Sequence, residues 1–235
     1  MPNATTTRRT TVSQDVRRRI ARSGTRLWCV EDFPGSPAAV NSELRRMVER
    51  GELTRVRRGV YWRGEKGRFG MTGAPQGKAL RKTIGEHEAV GATGWHATNL
   101  LGLSTQVSPL EMLAVTHRRP RGFEGVKVVT RSARTGRRDA RLNDLEVTFL
   151  EALEGWDRYV EVKSPVALRR FVERLGSDGI RVDRLVQASR TEPPAVRERL
   201  RAVLSRGGFD DAAVKVPEAR DSRTRSRALN VLQAA

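Results

Sequence analysis

The sequence predicts an α+β protein in two parts, and three observations point to it. Helix-period apolar stripes and short β-prone runs alternate through the first third of the 235 residues. A stretch of four glycines and a proline, GEKGRFGMTGAP at 64–75, then interrupts both periods. The last third returns to a helical signature of Ser-Pro or Pro-Pro start, apolar stripe and glycine stop. The expected organisation is an N-terminal domain at 1–63, a linker at 64–75 and a mixed α+β domain with a helical C-terminal layer at 76–235.

The elements follow in order. Ser13 is placed to cap a helix reaching Arg22, with Val16 and Ile20 four apart facing inward and Gly24 beyond its end. LWCV at 27–30 suits a short strand, and Glu31, Asp32 and Phe33 make one helical turn before Pro34 and Gly35. In SPAAVNSELRRMVERGE, Ser36 is the N-cap residue, Pro37 takes the first helical position, and Gly51 sits where a left-handed residue ends the helix. Val40, Leu44, Met47 and Val48 form its buried stripe, which turns Ser42, Arg45, Arg46 and Glu49 outward. LTRV at 53–56 and VYWR at 60–63 are strands joined by Arg57, Arg58 and Gly59, a hairpin with arginines at its tip. Helix, turn, longer helix and basic-tipped hairpin is the order of a winged helix-turn-helix.

Beyond the linker, residues 76–103 read as two helices closed by Gly102. LEMLAVT at 110–116 and GVKVVTR at 125–131 are strands, and DLEVTFLEALEG at 144–155 is apolar enough for a buried strand or helix. SPVALRRFVERLG at 164–176 and PPAVRERLRAVLSRGG at 193–208 are amphipathic helices, expected to cover a small sheet.

Charge narrows the function. The 45 Lys+Arg against 27 Asp+Glu give a formal +18, which calls for a polyanionic partner, nucleic acid first. Residues 1–75 hold 16 basic and 7 acidic side chains, so half of the excess lies in under a third of the chain. On the expected N-terminal geometry, Ser42, Arg45 and Arg46 face base edges of double-stranded DNA, and Arg50, Arg55, Arg57 and Arg58 face phosphates. A second basic concentration spans 118–141, with Arg118, Arg119, Arg121, Arg131, Arg134, Arg137, Arg138 and Arg141. It is either a polyanion or acidic-protein surface or a solvated loop.

The run EDFPGSPAAVNSELRRMVERGELTRVRRGVYW, Glu31 to Trp62, resembles the winged helix of the AbiEi-type antitoxins, transcriptional regulators of type IV toxin–antitoxin systems. GATGWHATNLLGLSTQVSP at 91–109 is similar to that family's small-residue segment leading into Leu-Gly-Leu and Thr-Gln-Val, and the resemblance spans roughly 12–160. It implies a repressor that binds promoter repeats of its own operon and a C-terminal domain that counteracts a co-encoded nucleotidyltransferase-like toxin.

Competing chemistry is thin. Asp157, Glu161 and Lys163 in WDRYVEVK match half of a metal-dependent nuclease core, the alternative function, against an alternating edge strand. His96 lacks a nearby nucleophile motif, Cys29 reads as a buried thiol, and the three histidines have no zinc spacing. No phosphate-cradling glycine loop is present. No catalytic residue, cofactor or metal is therefore expected. A pure protein-binding module on an acidic partner is the remaining class. No apolar run approaches the roughly 18 residues of a membrane span, and MPNATTTRRTTV has no secretory apolar stretch, so a cytoplasmic protein is expected.

Overall fold

The structure is a computed structural model, and it describes residues 11–85, 88–118 and 122–233. Residues 1–10, His87, Arg119 and Arg121 lie outside the described residues. The chain is mixed α+β and divides into two units, 1–83 and 84–235.

The first unit begins with α1 (Val12–Arg22). Its cap is Thr11, not Ser13. The Thr11 hydroxyl accepts from the Gln14 amide while the Gln14 side chain accepts from the Thr11 amide, so two otherwise orphaned donors are satisfied reciprocally. Val16 and Ile20 are buried as their spacing requires. Strand β1 (Arg26–Cys29) leads through a 3₁₀ turn (Val30–Asp32) into α2 (Pro37–Glu49). Strands β2 (Thr54–Arg57) and β3 (Val60–Arg63) follow. The sheet is antiparallel in the order β1-β3-β2, with Trp28 opposite Tyr61 and Cys29 opposite Val60. Strand β2 extends to Arg57, so the turn is Arg58–Gly59, one residue shorter than expected. A register irregularity between Arg55 and Arg57 takes up the extra residue. Val16, Ile20, Trp28, Phe33, Val40, Leu44, Met47, Leu53 and Tyr61 form one core beneath α1, α2 and the sheet.

The segment expected to be a linker is structured. Residues Lys66–Gly67 (β4) and Gly70–Met71 (β5) form a short hairpin, and α3 (Gln76–Ile84) starts within the first unit. The Trp62 indole donates to the Thr72 carbonyl at 2.7 Å, and Glu65 and Thr72 exchange bonds across the base of the hairpin. A Cβ at Gly64 would stand 2.5 Å from both Thr72 Oγ1 and Trp62 Nε1. That glycine serves close packing and does not mark a flexible join.

The second unit runs β6 (Gly91–Ala92), α4 (Gly94–Leu100), β7 (Glu111–Val115), β8 (Val126–Thr130), α5 (Thr135–Asp139), α6 (Asp144–Glu154) and α7 (Trp156–Tyr159). It then continues with α8 (Ser164–Leu175), α9 (Val182–Ser189), α10 (Pro194–Arg206), α11 (Asp210–Lys215) and α12 (Ser222–Gln233). Strand β7 is central, antiparallel to β6 and parallel to β8. The segment 144–155 is helical, and Val147, Phe149, Leu150, Ala152 and Leu153 are buried together with Glu146, Thr148 and Glu151, so α6 is buried around most of its circumference. This helix lies between β6 and α10, and the helical layer therefore packs on α6 instead of covering the sheet directly. A Cβ at Gly91 would come within 2.6 Å of Val147 Cβ, which is why β6 can lie so close to α6. Phe171 of α8 closes the core, stacked on Trp156 and edge-on to Phe149.

Candidate functional site

The geometry of α2 starts from one buried carboxylate. Glu43 lies three residues after Val40 and four before Met47, on the apolar stripe, and it is fully buried. Arg17 of α1 grips it from one side with bonds of 2.5 and 3.2 Å. Arg50 donates at 3.1 Å, and Arg46 approaches to 3.5 Å. The Arg17 bond above all holds the Glu43 carboxyl down at about 2, against the opposing effect of burial. Glu43 thereby locks α1 to α2 and tethers two of the arginines that the sequence assigns to an external surface. Its position on the stripe was the available signal for it: an acidic residue at an inward helical position demands cationic partners.

The outward face of α2 presents Ser42, Arg45 and Arg46, all exposed. Arg45 has no side-chain partner among the described residues, and Arg46 has only the long contact to Glu43. Arg50 is also held by Glu52 at 2.5 Å, which fixes it beside the end of the helix. Next in the chain, Arg55 and Arg58 are exposed on the β2–β3 hairpin, and Arg57 is half-buried. The Arg55 Nε donates to the Arg57 carbonyl at 3.4 Å, across the strand irregularity. Tyr61 of β3 donates to Asn41 of α2 at 2.8 Å, so the hairpin and the helix are fastened to each other directly. All seven residues assigned from the sequence thus belong to two adjoining elements of one unit.

Three arginines of the basic stretch 118–141, Arg131, Arg134 and Arg137, turn inward instead of forming a solvated surface. Arg137 is fully buried, paired through Nε and Nη2 with Glu192 at 2.6 and 2.9 Å and through Nη1 with Glu151 at 2.6 Å. Arg131 forks onto Glu151 at 2.9 and 2.8 Å, and Arg134 reaches Glu154 at 3.2 Å. Burial alone would raise the Glu151 carboxyl. The Arg131 hydrogen bonds and the Arg137 charge outweigh it and bring the group to about 2. The Glu192 and Glu151 carboxylates keep Arg137 firmly charged despite its burial. Three arginines of the stretch are thus structural ties from β8 and α5 to α6 and to the turn before α10. Arg118, Arg138 and Arg141 are exposed, with Arg138 3.8 Å from Glu88.

The WDRYVEVK segment is not an edge strand: residues 156–159 form α7, and 160–163 lack regular structure. Asp157 accepts from Arg199 at 2.6 Å, and Glu161 accepts from Ser104 Oγ at 2.7 Å and the Thr105 amide at 3.1 Å. Lys163 is exposed and supplies the first carbonyl of α8. Each carboxylate has a structural partner, and the two belong to different local networks. His96 is half-buried, 3.2 Å from the Met112 carbonyl. Burial pushes the Cys29 thiol up to about 11. Among the described residues no group of three or more His, Cys, Asp or Glu is placed to hold a metal ion, and no helix is long and apolar enough to cross a membrane.

Comparison with known proteins yields no match among curated proteins. The crystal structure of the RV2827C protein from Mycobacterium tuberculosis is similar over 88% of this chain and 82% of that one, at 16% identity and a TM-score of 0.42. Residues 17–139, over half of the sequence and including all of α2, the β2–β3 hairpin and the central sheet, match the family described as "Family of unknown function (DUF6088)". The chain belongs to that family.

Proposed function

We propose that the first unit is a winged helix that binds double-stranded DNA, with α2 in the major groove and the β2–β3 hairpin as the wing on neighbouring backbone. The supporting observation is the neighbouring placement of two sets of exposed cations: Arg45 and Arg46 on one face of α2, and Arg55 and Arg58 on a hairpin bonded to that helix. An α-helix fits the major groove, and arginine forks match guanine edges and phosphates there. Ser42, Arg45 and Arg46 take the base edges. Arg50, Arg55, Arg57 and Arg58 take phosphates. Glu43 aligns Arg46 and Arg50 for this by holding them from beneath.

On this reading the protein is a sequence-specific repressor of its own operon. Joined to the AbiEi-type resemblance of Glu31–Trp62 and 91–109, the role is that of a type IV antitoxin counteracting a co-encoded nucleotidyltransferase-like toxin. The test is a footprint on the DNA upstream of its own reading frame, with Arg45→Ala/Arg46→Ala as the control. A protected repeat that the variant loses supports the reading, and a protein that shifts no DNA at low salt defeats it.

A further inference from the structure

The second unit contains a cavity of about 540 Å³, within the range of small-molecule sites. Strand alternation puts Lys127 and Val129 of β8, with Arg131 just past its end, on the face that lines it, opposite the buried Val126 and Val128. Arg158 of α7 and Arg227 of α12 line it as well.

The charges around this cavity do not cancel. Arg131, Arg134 and Arg137 balance Glu151, Glu154 and Glu192 in the buried network, and Arg199 balances Asp157. Lys127, Arg158 and Arg227 are left over. All three are exposed, and none has a side-chain partner among the described residues. Three unpaired cations from a strand and two helices around one concavity are the arrangement that takes up a multiply charged anion.

The cavity also offers the reverse polarity at one point. Glu154 lines it, and its Oε2 is buried without a hydrogen-bond partner, 3.5 Å from Arg131 Nη2. A buried acceptor left unsatisfied is costly, and a ligand N–H or O–H that shifts the side chains covering it would relieve it. Val129, Met112 and Tyr159 supply apolar surface beside it, and Tyr159 is braced edge-on against Trp95 at 5.1 Å.

We infer that this cavity binds a phosphorylated small molecule of the mononucleotide class, its phosphates on Lys127, Arg158 and Arg227 and a donor of its sugar or base on Glu154. The inference does not depend on DNA binding by the first unit. It is tested by calorimetric titration of the full chain with ATP and, separately, with inorganic pyrophosphate. Wild type is compared with Lys127→Gln/Arg158→Gln/Arg227→Gln and with Arg45→Ala/Arg46→Ala. All five positions are exposed, so both variants keep the fold.

The expected result is saturable one-to-one ATP binding, weaker binding of pyrophosphate, and a loss of at least about tenfold in the cavity variant, since each charge-assisted bond is worth about that much. The α2 variant should bind ATP as wild type does. No saturable ATP binding, or equal binding by the cavity variant, overturns the site. Pyrophosphate binding as tightly as ATP overturns the nucleotide assignment. A loss confined to the α2 variant would locate the anion in the first unit and also refute the proposal.

Discussion

Replacing Glu43 by Gln removes the charge that organises the first unit while keeping its shape. The wild-type carboxyl sits at about 2 against an ordinary 4.5, and at about 1.4 kcal/mol per pH unit this corresponds to about 3 kcal/mol. Its partners Arg17, Arg46 and Arg50 have side chains 51%, 60% and 40% exposed, so water screens part of the interaction, and about 2 kcal/mol is the expected loss. Because the folded-state value is depressed, the stabilisation is complete above pH 4.5 and disappears as the pH falls from 4.5 toward 2. Amide hydrogen exchange at pH 7 reads this locally: peptides of α1 and α2 should lose about 30-fold of their protection in Glu43→Gln, and those of α6 and α10 should not change. Urea unfolding should show the gap between variant and wild type narrowing from pH 5 to pH 3 and closing toward pH 2. Unchanged protection in α2, or a gap as wide at pH 3 as at pH 5, would refute the account of Glu43 as the tie between the two helices.

Three further outcomes follow from the same geometry. Arg55→Ala/Arg58→Ala should flatten the dependence of log K on log salt for DNA by up to about 1.8, at about 0.9 per phosphate contact, and a slope equal to wild type would remove the hairpin from the interface. Arg137→Met leaves Glu192 only its 3.5 Å contact to Arg134 and deprives Glu151 of one of its two arginines in a buried site, so thermal or urea unfolding should report a loss of about 3–5 kcal/mol, and a loss under about 1 would contradict the buried network. With its thiol raised to about 11 and buried, Cys29 should react with a thiol reagent at pH 8 far more slowly in the folded protein than in urea, and equal rates would contradict its placement.

Where local chemistry decides, the sequence was legible. Pro37 and Gly51 bracket α2, and Val16, Ile20, Val40, Leu44 and Met47 are buried as their spacing requires. Val196, Leu200, Val203 and Leu204 of α10 behave in the same way. Legibility fails where a long-range partner overrides a local tendency. A run of arginines reads as a solvated surface until Glu151, Glu154 and Glu192 arrive from α6 and the turn before α10, up to 55 residues away in the chain. Glycines at 64–73 read as a flexible join, yet Gly64 is there because Trp62 and Thr72 leave no room for a Cβ. In WDRYVEVK the alternation of residue types suits a strand, but the segment pairs with none of the strands among the described residues. The chain instead turns through α7, with Asp157 and Glu161 fastened to Arg199 and to the loop at 104–105. In the candidate site, the exposed arginines are visible from helical spacing, whereas the role of Glu43, a lone acid on the apolar stripe, depends on Arg17 from another helix.

The central claim is that the outward face of α2 reads DNA. A footprint and titration on the DNA upstream of the reading frame, comparing wild type with Arg45→Ala/Arg46→Ala at one fixed salt concentration, test it most directly. The account predicts a discrete protected site for wild type and, in the variant, a loss of about 2–6 kcal/mol of specific binding, at about 1–3 for each bidentate contact, with weak non-specific binding retained through the hairpin. A variant that protects the same site with the same affinity would contradict it.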